Sequence, residues 1–274
     1  MMHRMEQLAE LLRPYTGGGI TLAFSGGTDS SFLLFALKKL REEQPFALKA
    51  VMMQTIFQPQ DEPAEAKEIA AELGLDLEIL HCDPLSLPEL RTNPPDRCYW
   101  CKRHIFGEIL KYSGAHGIRT LMDGTQADDR HSYRPGRKAL RELGVVSPLA
   151  ELGFTKAEIR SLAGEYGLRF AAKPAMPCLA TRFEYGTELT PELLGRTARG
   201  ESMIRHLLPE NTAVRLRVQR GIARIEVPPE AMATVLENRK RIVAELRKLK
   251  FEFITLDLEG FRSGCYDKNQ EDFS

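Results

Sequence analysis

The sequence predicts an α/β protein: a doubly wound parallel sheet, followed by a smaller α+β domain. Three observations predict it. Short apolar runs alternate with helix-spaced segments from Ile20 to Tyr166, the pattern of strands and crossover helices that covers both faces of a parallel sheet. A glycine-rich turn, Ser25-Gly26-Gly27-Thr28-Asp29-Ser30, joins the first of these strands to the first of these helices. Near Lys173 the alternation stops, and the elements that follow no longer repeat. The boundary is set at about residue 175, giving domains over 1–175 and 176–274.

The elements follow in order. Ile20 to Phe24 is a short apolar run after a Gly-Gly-Gly turn, read as a buried strand. From Asp29 to Glu43, Phe32, Leu33, Phe35, Ala36 and Leu40 recur at helical spacing. Ala47 to Met53 is a second strand, Asp61 to Leu73 a helix stopped by Gly74, and Leu77 to Leu80 a third strand. A proline-rich loop runs from Asp83 to Arg97, then a helix from Lys102 to Tyr112 and a strand from Thr120 to Met122. Val145 to Val146 is read as another strand. Thr155 with Glu158 three residues later is a capping box that opens a helix through Tyr166.

Beyond the boundary, Thr190 caps a helix to Leu208, with Pro191 at its first position. Val214–Gln219 and Ile222–Val227 flank Arg220-Gly221 as a hairpin. A long helix is expected from Pro229 to Leu249, and a last strand from Phe251 to Leu258. The tail from Ser263 is polar and is expected to be loosely held.

Composition limits the function. Thirty-eight basic residues balance 38 acidic ones, so binding of nucleic acid through a bulk positive field is disfavoured. Hydrophobic residues make up 43% of the chain, enough for a core and too many for a disordered protein. The opening residues, MMHRMEQLAELLRPY, interleave acids with leucines, so no leader-type apolar core is read there. No run of about 18 apolar residues suggests a membrane span. The cytoplasm is the expected compartment, where cysteines at tight spacing favour metal binding or catalysis over crosslinks.

The glycine-rich turn suits an anion. Glycines let the backbone approach a phosphate, and the helix that follows offers N–H groups and a favourable dipole. Ser25, Ser30 and Ser31 add hydroxyls. A tight strand-to-helix turn with a serine cap would have the same spacing. The Gly-Lys-Ser/Thr ending of the Walker loop is absent. SGGTDS after an apolar strand resembles the PP-loop of the ATP pyrophosphatases, which cleave ATP between its α and β phosphorus atoms and adenylate a substrate. The resemblance implies that Ser25, Gly26, Gly27, Asp29 and Ser30 bind ATP, with Asp29 placed to help hold Mg2+. Asp123-Gly124-Thr125, with Asp128 and Asp129, looks like the second nucleotide motif of these enzymes. It follows a strand, at the sheet end where open α/β proteins bind ligands. Gly124 and Asp128 are thereby candidates for ATP and magnesium. A solvated acidic loop is the plainer reading of the same aspartates.

Cys98 and Cys101 form Cys-x-x-Cys, and Cys178 lies far along the chain in PAMPCLATR. The pair alone could be half a zinc site, a redox pair or core residues. Three thiolates suit a 4Fe-4S cluster with one open iron, or zinc with a fourth ligand such as His104. Cys82 and Cys265 are read as structural or incidental, and Trp100 as a shield beside Cys101 or as core.

A wider resemblance covers nearly the whole chain. SGGTDSS, NPPDRCYWCK, the RPG ending at Gly136, SPL from Ser147 and FTKAEIRSLA are similar to segments of the LarE-type ATP-dependent sulfur transferases. So are KPAMPCLATRFEYG, VRLRVQRGIARIEV and LDLEGFRSG. The family thiolates carboxylates of a pyridinium biscarboxylate mononucleotide on the route to the nickel-pincer nucleotide cofactor. One kind sacrifices the sulfur of a single cysteine, at the position matching Cys178. The other has three cysteines and a 4Fe-4S cluster. Cys98, Cys101 and Cys178 resemble the second kind, with catalytic roles implied for Cys178, Asp29, Arg182 and Glu201. The implied partners are a small mononucleotide and a sulfide donor, with no nucleic acid, no membrane, and a homo-oligomer such as a hexamer.

Arg215 and Arg217 alternate with Val214, Leu216 and Val218, so an extended strand puts both guanidiniums on one face. Such a pair suits a phosphate or carboxylate. The resemblance assigns them, with Arg182, to the substrate phosphate; an ion-paired face, for example with Glu226, is the alternative. Two other functions are compatible with the same residues. One is a transfer-RNA thiolation enzyme, which the neutral charge disfavours. The other is a zinc-stabilised nucleotide-binding module without catalysis.

Overall fold

The computed structural model describes residues 2–59, 61–130, 135–172, 177–210 and 212–262, without the side chains of Met2, Asp129, Arg130 and Ala172. The boundary near residue 175, Arg134, Lys173–Met176, Cys265 and the tail from Ser263 lie outside the described residues.

The chain runs α1 (Met2–Leu12), β1 (Ile20–Ala23), α2 (Thr28–Glu43), β2 (Leu48–Gln54), α3 (Glu62–Glu72), β3 (Leu77–His81), α4 (Pro88–Arg91), α5 (Arg97–Ala115) and β4 (Thr120–Asp123). It continues through α6 (Pro135–Glu142), α7 (Pro148–Glu151), α8 (Lys156–Glu165), α9 (Pro191–Arg205), β5 (Arg215–Gln219), β6 (Ile222–Glu226), α10 (Met232–Glu237), α11 (Arg239–Lys248) and β7 (Phe253–Leu256). Two compact units result. One comprises residues 1–55, 60–84 and 96–176; the other comprises 56–59, 85–95 and 177–274. Two short excursions of the N-terminal half thus belong to the second unit.

The first unit is a parallel sheet ordered β3-β2-β1-β4. Alternation along each strand serves two cores. Leu22, Ala50, Met52 and Met122 face one, with Leu8, Phe32, Phe154 and Ile159. Val51, Met53 and Leu121 face the other, with Phe106, Ile109 and Leu140. Coverage of both faces explains why these strands read as nearly continuous apolar runs. The strand order reverses between β1 and β4, and the carboxyl ends at such a reversal form the usual ligand crevice.

The second unit holds a three-stranded sheet, β5-β6-β7, antiparallel at the hairpin and parallel at its other pair. Arg220 and Gly221 both have positive φ, 47° and 85°, as a two-residue turn matched to strand twist requires. Helix α9 packs closely on β5. A Cβ on Gly200 would fall 2.7 Å from Leu216 Cδ2 and 2.8 Å from Leu246 Cδ2.

Several elements differ from the sequence reading. The expected helix from Lys102 spans Arg97–Ala115, so both cysteines of Cys-x-x-Cys lie on it. The expected strand at Val145–Val146 is a single bridge between Met122 and Val146. The long helix expected from Pro229 is broken at Asn238, whose side chain donates to Thr234 O at 2.9 Å and so competes with the helical ladder. The loop from Asp83 contains a 3-10 turn and α4. Helices α1 and α6 have no counterpart in the reading, which treated the opening residues only as a possible leader.

The capping box is formed as expected. Thr155 Oγ1 accepts from Glu158 N–H at 3.2 Å, and Glu158 Oε2 accepts from Thr155 N–H at 2.9 Å. Thr155→Ala should lower stability by about 1 kcal/mol, a fall of roughly 2–4 °C in Tm; thermal melts of the two proteins check this.

Candidate functional site

The glycine-rich turn follows β1 and runs directly into α2. Its hydroxyls hold it in shape. Ser25 Oγ and Ser30 Oγ lie 3.1 Å apart, Gly27 N–H donates to Ser25 Oγ, and Ser30 Oγ donates to Gly27 O. Gly26 has φ 67°, and a Cβ there would sit 2.9 Å from Ala66 Cβ. Glycine is required at this position by conformation and by space. Gly27 is the N-cap of α2 and brings no side chain to cap it. Asp29, half-buried, lies in the first turn. The result is a concave backbone at the head of a 16-residue helix, the arrangement that accepts phosphate.

The loop after β4 lies against the same turn. Ala23 and Asp123 are partners in register. A Cβ on Gly124 would fall 2.7 Å from Ser30 N and 2.8 Å from Ser30 Cα, so backbone meets backbone with no space for a side chain. Asp123 is buried and fixes this loop by accepting from the hydroxyls of Thr125 and Ser147, the latter at 2.5 Å. Asp128 is exposed; its Oδ2 accepts from Lys156 N–H at 2.9 Å, at the start of α8. Its other oxygen makes no hydrogen bond among the described residues. The side chain of Asp129 lies outside them.

Cys98 and Cys101 stand one turn apart near the start of α5, the first exposed and the second half-buried. Trp100 between them donates from Nε1 to Asp96 Oδ2 at 2.8 Å, which ties the indole to the helix cap. Cys82 follows β3. Burial pushes its thiol up to about 11, with the charges of Glu108 and Asp83 adding to the effect, so it is a poor nucleophile at neutral pH. Among the described residues no three His, Cys, Asp or Glu side chains gather into a metal-binding group.

In the second unit, Cys178 is half-buried and precedes a 3-10 turn, Leu179–Arg182. Arg182, 1% exposed, reaches back along that turn. Its Nη1 donates to Pro177 O at 2.9 Å and Thr181 Oγ1 at 3.0 Å. Its Nε and Nη2 form a two-pronged pair with Glu201 at 2.8 and 2.6 Å. Burial works against the Arg182 charge, but the hydrogen bond and charge of Glu201 outweigh it and raise its pKa. Glu201 also accepts from Leu216 N–H at 3.0 Å, which ties α9 to β5.

Arg215 and Arg217 are both buried. Both pair with Glu226, at 3.5 and 2.6 Å, and Arg224 joins it at 3.1 Å. Glu226 is the partner the ion-pair alternative named, on a buried face in place of a solvated one. Arg217 Nη1 also donates to Thr181 O at 2.8 Å, and the Arg215 guanidinium lies 4.3 Å from the Phe261 ring centre. The hairpin and the Cys178 turn are thus joined through Arg217. Three buried guanidiniums meet two buried carboxylates here. Partly exposed Arg205 and Arg224 add positive charge, part of it met by Asp257 at 3.4 Å from Arg224; a cluster richer in guanidinium than in carboxylate suits an anion. Sequence reasoning gave no role to Ser147, Arg205 or Arg224. Only the motif around Ser147, and the presence of Arg224 in the hairpin segment, pointed to them.

Comparison with known proteins agrees with this geometry. The PP-loop domain family matches residues 1–91. The chain is 35% identical to the pyridinium-3,5-bisthiocarboxylic acid mononucleotide synthase of Lactiplantibacillus plantarum, over 89% of this chain and 87% of that protein. It is 34% identical to an uncharacterised protein of Synechocystis, over 95% and 97%. A transfer-RNA-specific 2-thiouridylase of Trichlorobacter lovleyi is more distant, at 28% identity over 56% of this chain and 51% of that enzyme. The chain therefore belongs to the LarE-type family of ATP-dependent sulfurtransferases built on the PP-loop domain.

Proposed function

We propose that this enzyme adenylates carboxylates of pyridinium-3,5-biscarboxylic acid mononucleotide and converts them to thiocarboxylates, for synthesis of the nickel-pincer nucleotide. The observation that carries the reading is the backbone packing of Gly124 on the first turn of α2, beside the glycine-rich turn, in a chain 35% identical to a synthase of the bisthiocarboxylic acid mononucleotide. ATP is the co-substrate and pyrophosphate and AMP the other products. The cytoplasm is the proposed compartment, and a homo-oligomer the proposed assembly.

Chemistry assigns the groups. Attack of a substrate carboxylate oxygen on the α phosphorus breaks the bond to pyrophosphate. The turn from Ser25 to Ser30 holds that leaving group by backbone N–H groups and hydroxyls. Mg2+ is the natural counter-ion, and the carboxylates of Asp29 and Asp128 are of the hard oxygen type it takes. Hydrosulfide then adds to the acyl carbon, the bond to AMP breaks, and the thioacid loses its proton. Water is the competitor, so the adenylate must meet sulfur in a site that excludes it. The Arg215, Arg217 and Arg182 cluster holds the anionic substrate, and Arg182 fixes the backbone on either side of Cys178.

For the sulfur source we favour a 4Fe-4S cluster on Cys98, Cys101 and Cys178. Donor chemistry supports this choice: none of these cysteines is in a disulfide, none is fully buried, and two lie one turn apart on one helix. When bound, such a cluster supplies an open iron that holds hydrosulfide deprotonated. Zinc on the same cysteines would give a colourless protein without that chemistry.

Four outcomes test the proposal. Anaerobically reconstituted protein, given ATP, sulfide and the mononucleotide, should yield a product heavier by the exchange of oxygen for sulfur; AMP formation without that mass change would sink it. Gly124→Ala should weaken ATP binding by roughly tenfold or more, because its methyl meets backbone that cannot swing aside. Calorimetric titration measures this. Asp29→Asn should slow pyrophosphate release by about 100-fold yet keep iron content unchanged, whereas Cys98→Ala should lose iron and keep pyrophosphate release. An iron-free, colourless enzyme that still makes thiocarboxylate would overturn the cluster assignment.

A further inference from the structure

The turn that carries Cys178 is held by a residue far from it in sequence. Asn93 is fully buried, in the 85–95 excursion that belongs to the second unit. Its Nδ2 lies 2.8 Å from Glu184 O, 3.1 Å from Phe183 O and 3.4 Å from Ala180 O. Two amide protons are thus shared among three carbonyls in the stretch just after Cys178. The backbone repeats the link: Gly186 N–H donates to Asn93 O at 3.3 Å and Leu189 N–H to Arg91 O at 2.7 Å. Leu179 N–H donates to Phe57 O at 2.7 Å, so both excursions clasp the same segment.

The backbone of Asn93 marks it as constrained. Its φ is 47°, in left-handed space, although a residue before proline ordinarily stays extended. Asn tolerates that region better than other side-chain-bearing residues. Such a conformation persists where surrounding bonds over-determine it. Asn93 satisfies both demands: its backbone takes the turn and its amide supplies donors that no glycine has. Five residues later in sequence comes Cys98.

We infer that Asn93 is a positioning residue for sulfur transfer: it locks the Leu179–Leu189 segment so that Cys178 is held steady while the acyl adenylate awaits sulfur. This rests on the sulfur-transfer reading above. The chemical reason is competition. The adenylate either takes hydrosulfide, giving thiocarboxylate and AMP, or takes water, returning carboxylate and AMP. A loosened turn lowers the first rate through misplacement and leaves the second available. The signature is therefore uncoupling, with more pyrophosphate released per thiocarboxylate made. Simple destabilisation would instead reduce both yields together.

The test uses full-length reconstituted enzyme and two variants. Asn93→Gly keeps the left-handed backbone and removes the amide; Asn93→Asp keeps the shape and turns a donor into an oxygen facing carbonyls. Thiocarboxylate and pyrophosphate are measured in the same reaction, with hydrogen exchange of residues 179–189 by mass spectrometry. Each variant should lower the ratio of thiocarboxylate to pyrophosphate by roughly fivefold, the scale of one lost hydrogen bond. Exchange in residues 179–189 should speed up while that of β1 and α2 stays unchanged. An unchanged ratio in both variants, with the two yields falling in parallel, overturns the positioning role, and so does unchanged exchange in the segment. If wild-type enzyme makes no thiocarboxylate, the sulfur-transfer reading fails and takes the positioning role with it; the exchange measurement still reports whether Asn93 locks the turn.

Discussion

The nucleotide end of the parallel sheet depends on a contact in which side chains have no part. Gly124 lies so close to the first turn of α2 that a methyl would sit 2.7 Å from Ser30 N. Within the glycine-rich turn itself, Gly26 packs within a methyl's reach of Ala66. Contacts of this kind cannot be relieved by a rotamer change, because the atoms in the way belong to the main chain or to its Cβ. They therefore fix where the phosphate-binding turn can be. The rest of the region serves that position. The strand order places β1 beside β4 in register, and Asp123, held by two hydroxyls, keeps the chain after β4 from drifting. Ser147, which supplies one of those hydroxyls, opens the short helix α7. The serine of the SPL segment is thereby a brace for the loop.

The arginine cluster obeys a different economy. Burying guanidiniums and carboxylates is costly, and paired charges seldom stabilise a fold more than apolar residues of similar volume would. Arg182, Arg215, Arg217, Glu201 and Glu226 are nevertheless all buried. Each carboxylate serves several donors at once: Glu201 takes Arg182, Arg205 and the Leu216 N–H, and Glu226 takes Arg215, Arg217 and Arg224. Shared in this way, neither carboxylate fully neutralises its partners. The guanidiniums are fixed in direction by the acids. Stability alone gives no reason for such a cluster; the substrate-binding role proposed above would give one.

How much of this could be read from the chain follows from range. The glycine-rich turn, the capping box at Thr155 and the Arg220-Gly221 hairpin are local, with their geometry encoded by neighbouring residues, and all three form as the sequence suggests. The β5 alternation likewise put Arg215 and Arg217 together. What escaped was long-range or depended on helix context. Nothing near Leu85–Pro95 indicates that it packs with residues 177–274, because its partners are carbonyls almost a hundred positions away. The start of α5 was missed because Pro94 and Pro95 look like loop, and proline is as well suited to precede a helix as to prevent one. Helix α6 carries a Pro-Gly opening that weakens any periodic signal. The break at Asn238 turns on one side chain bonding to its own helix, which apolar spacing cannot register. For the site, the arginines were legible as a pair, but their burial and sharing of Glu226 were not, since a strand pattern reports sides and not depth.

The chain's neutrality acquires its meaning at this point. A balance of 38 against 38 removes long-range attraction for a polyanion, and salt would screen what remained beyond about 8–10 Å. It says nothing about a site where the charges are buried, oriented and a few ångströms from their target, because interaction energy there is set by distance and local dielectric. The Arg182–Glu201 and Arg217–Glu226 pairs at 2.6 Å lie in that regime. A chain with no net charge and a concentrated, buried arginine cluster is the pattern the proposed compact anionic substrate would need. An extended nucleic acid would require the opposite arrangement, with charge spread over a face and little of it buried. The same count of lysines, arginines and acids could have built either. Burial of Arg182, Arg215 and Arg217 is the observation on which the small-ligand reading proposed above rests.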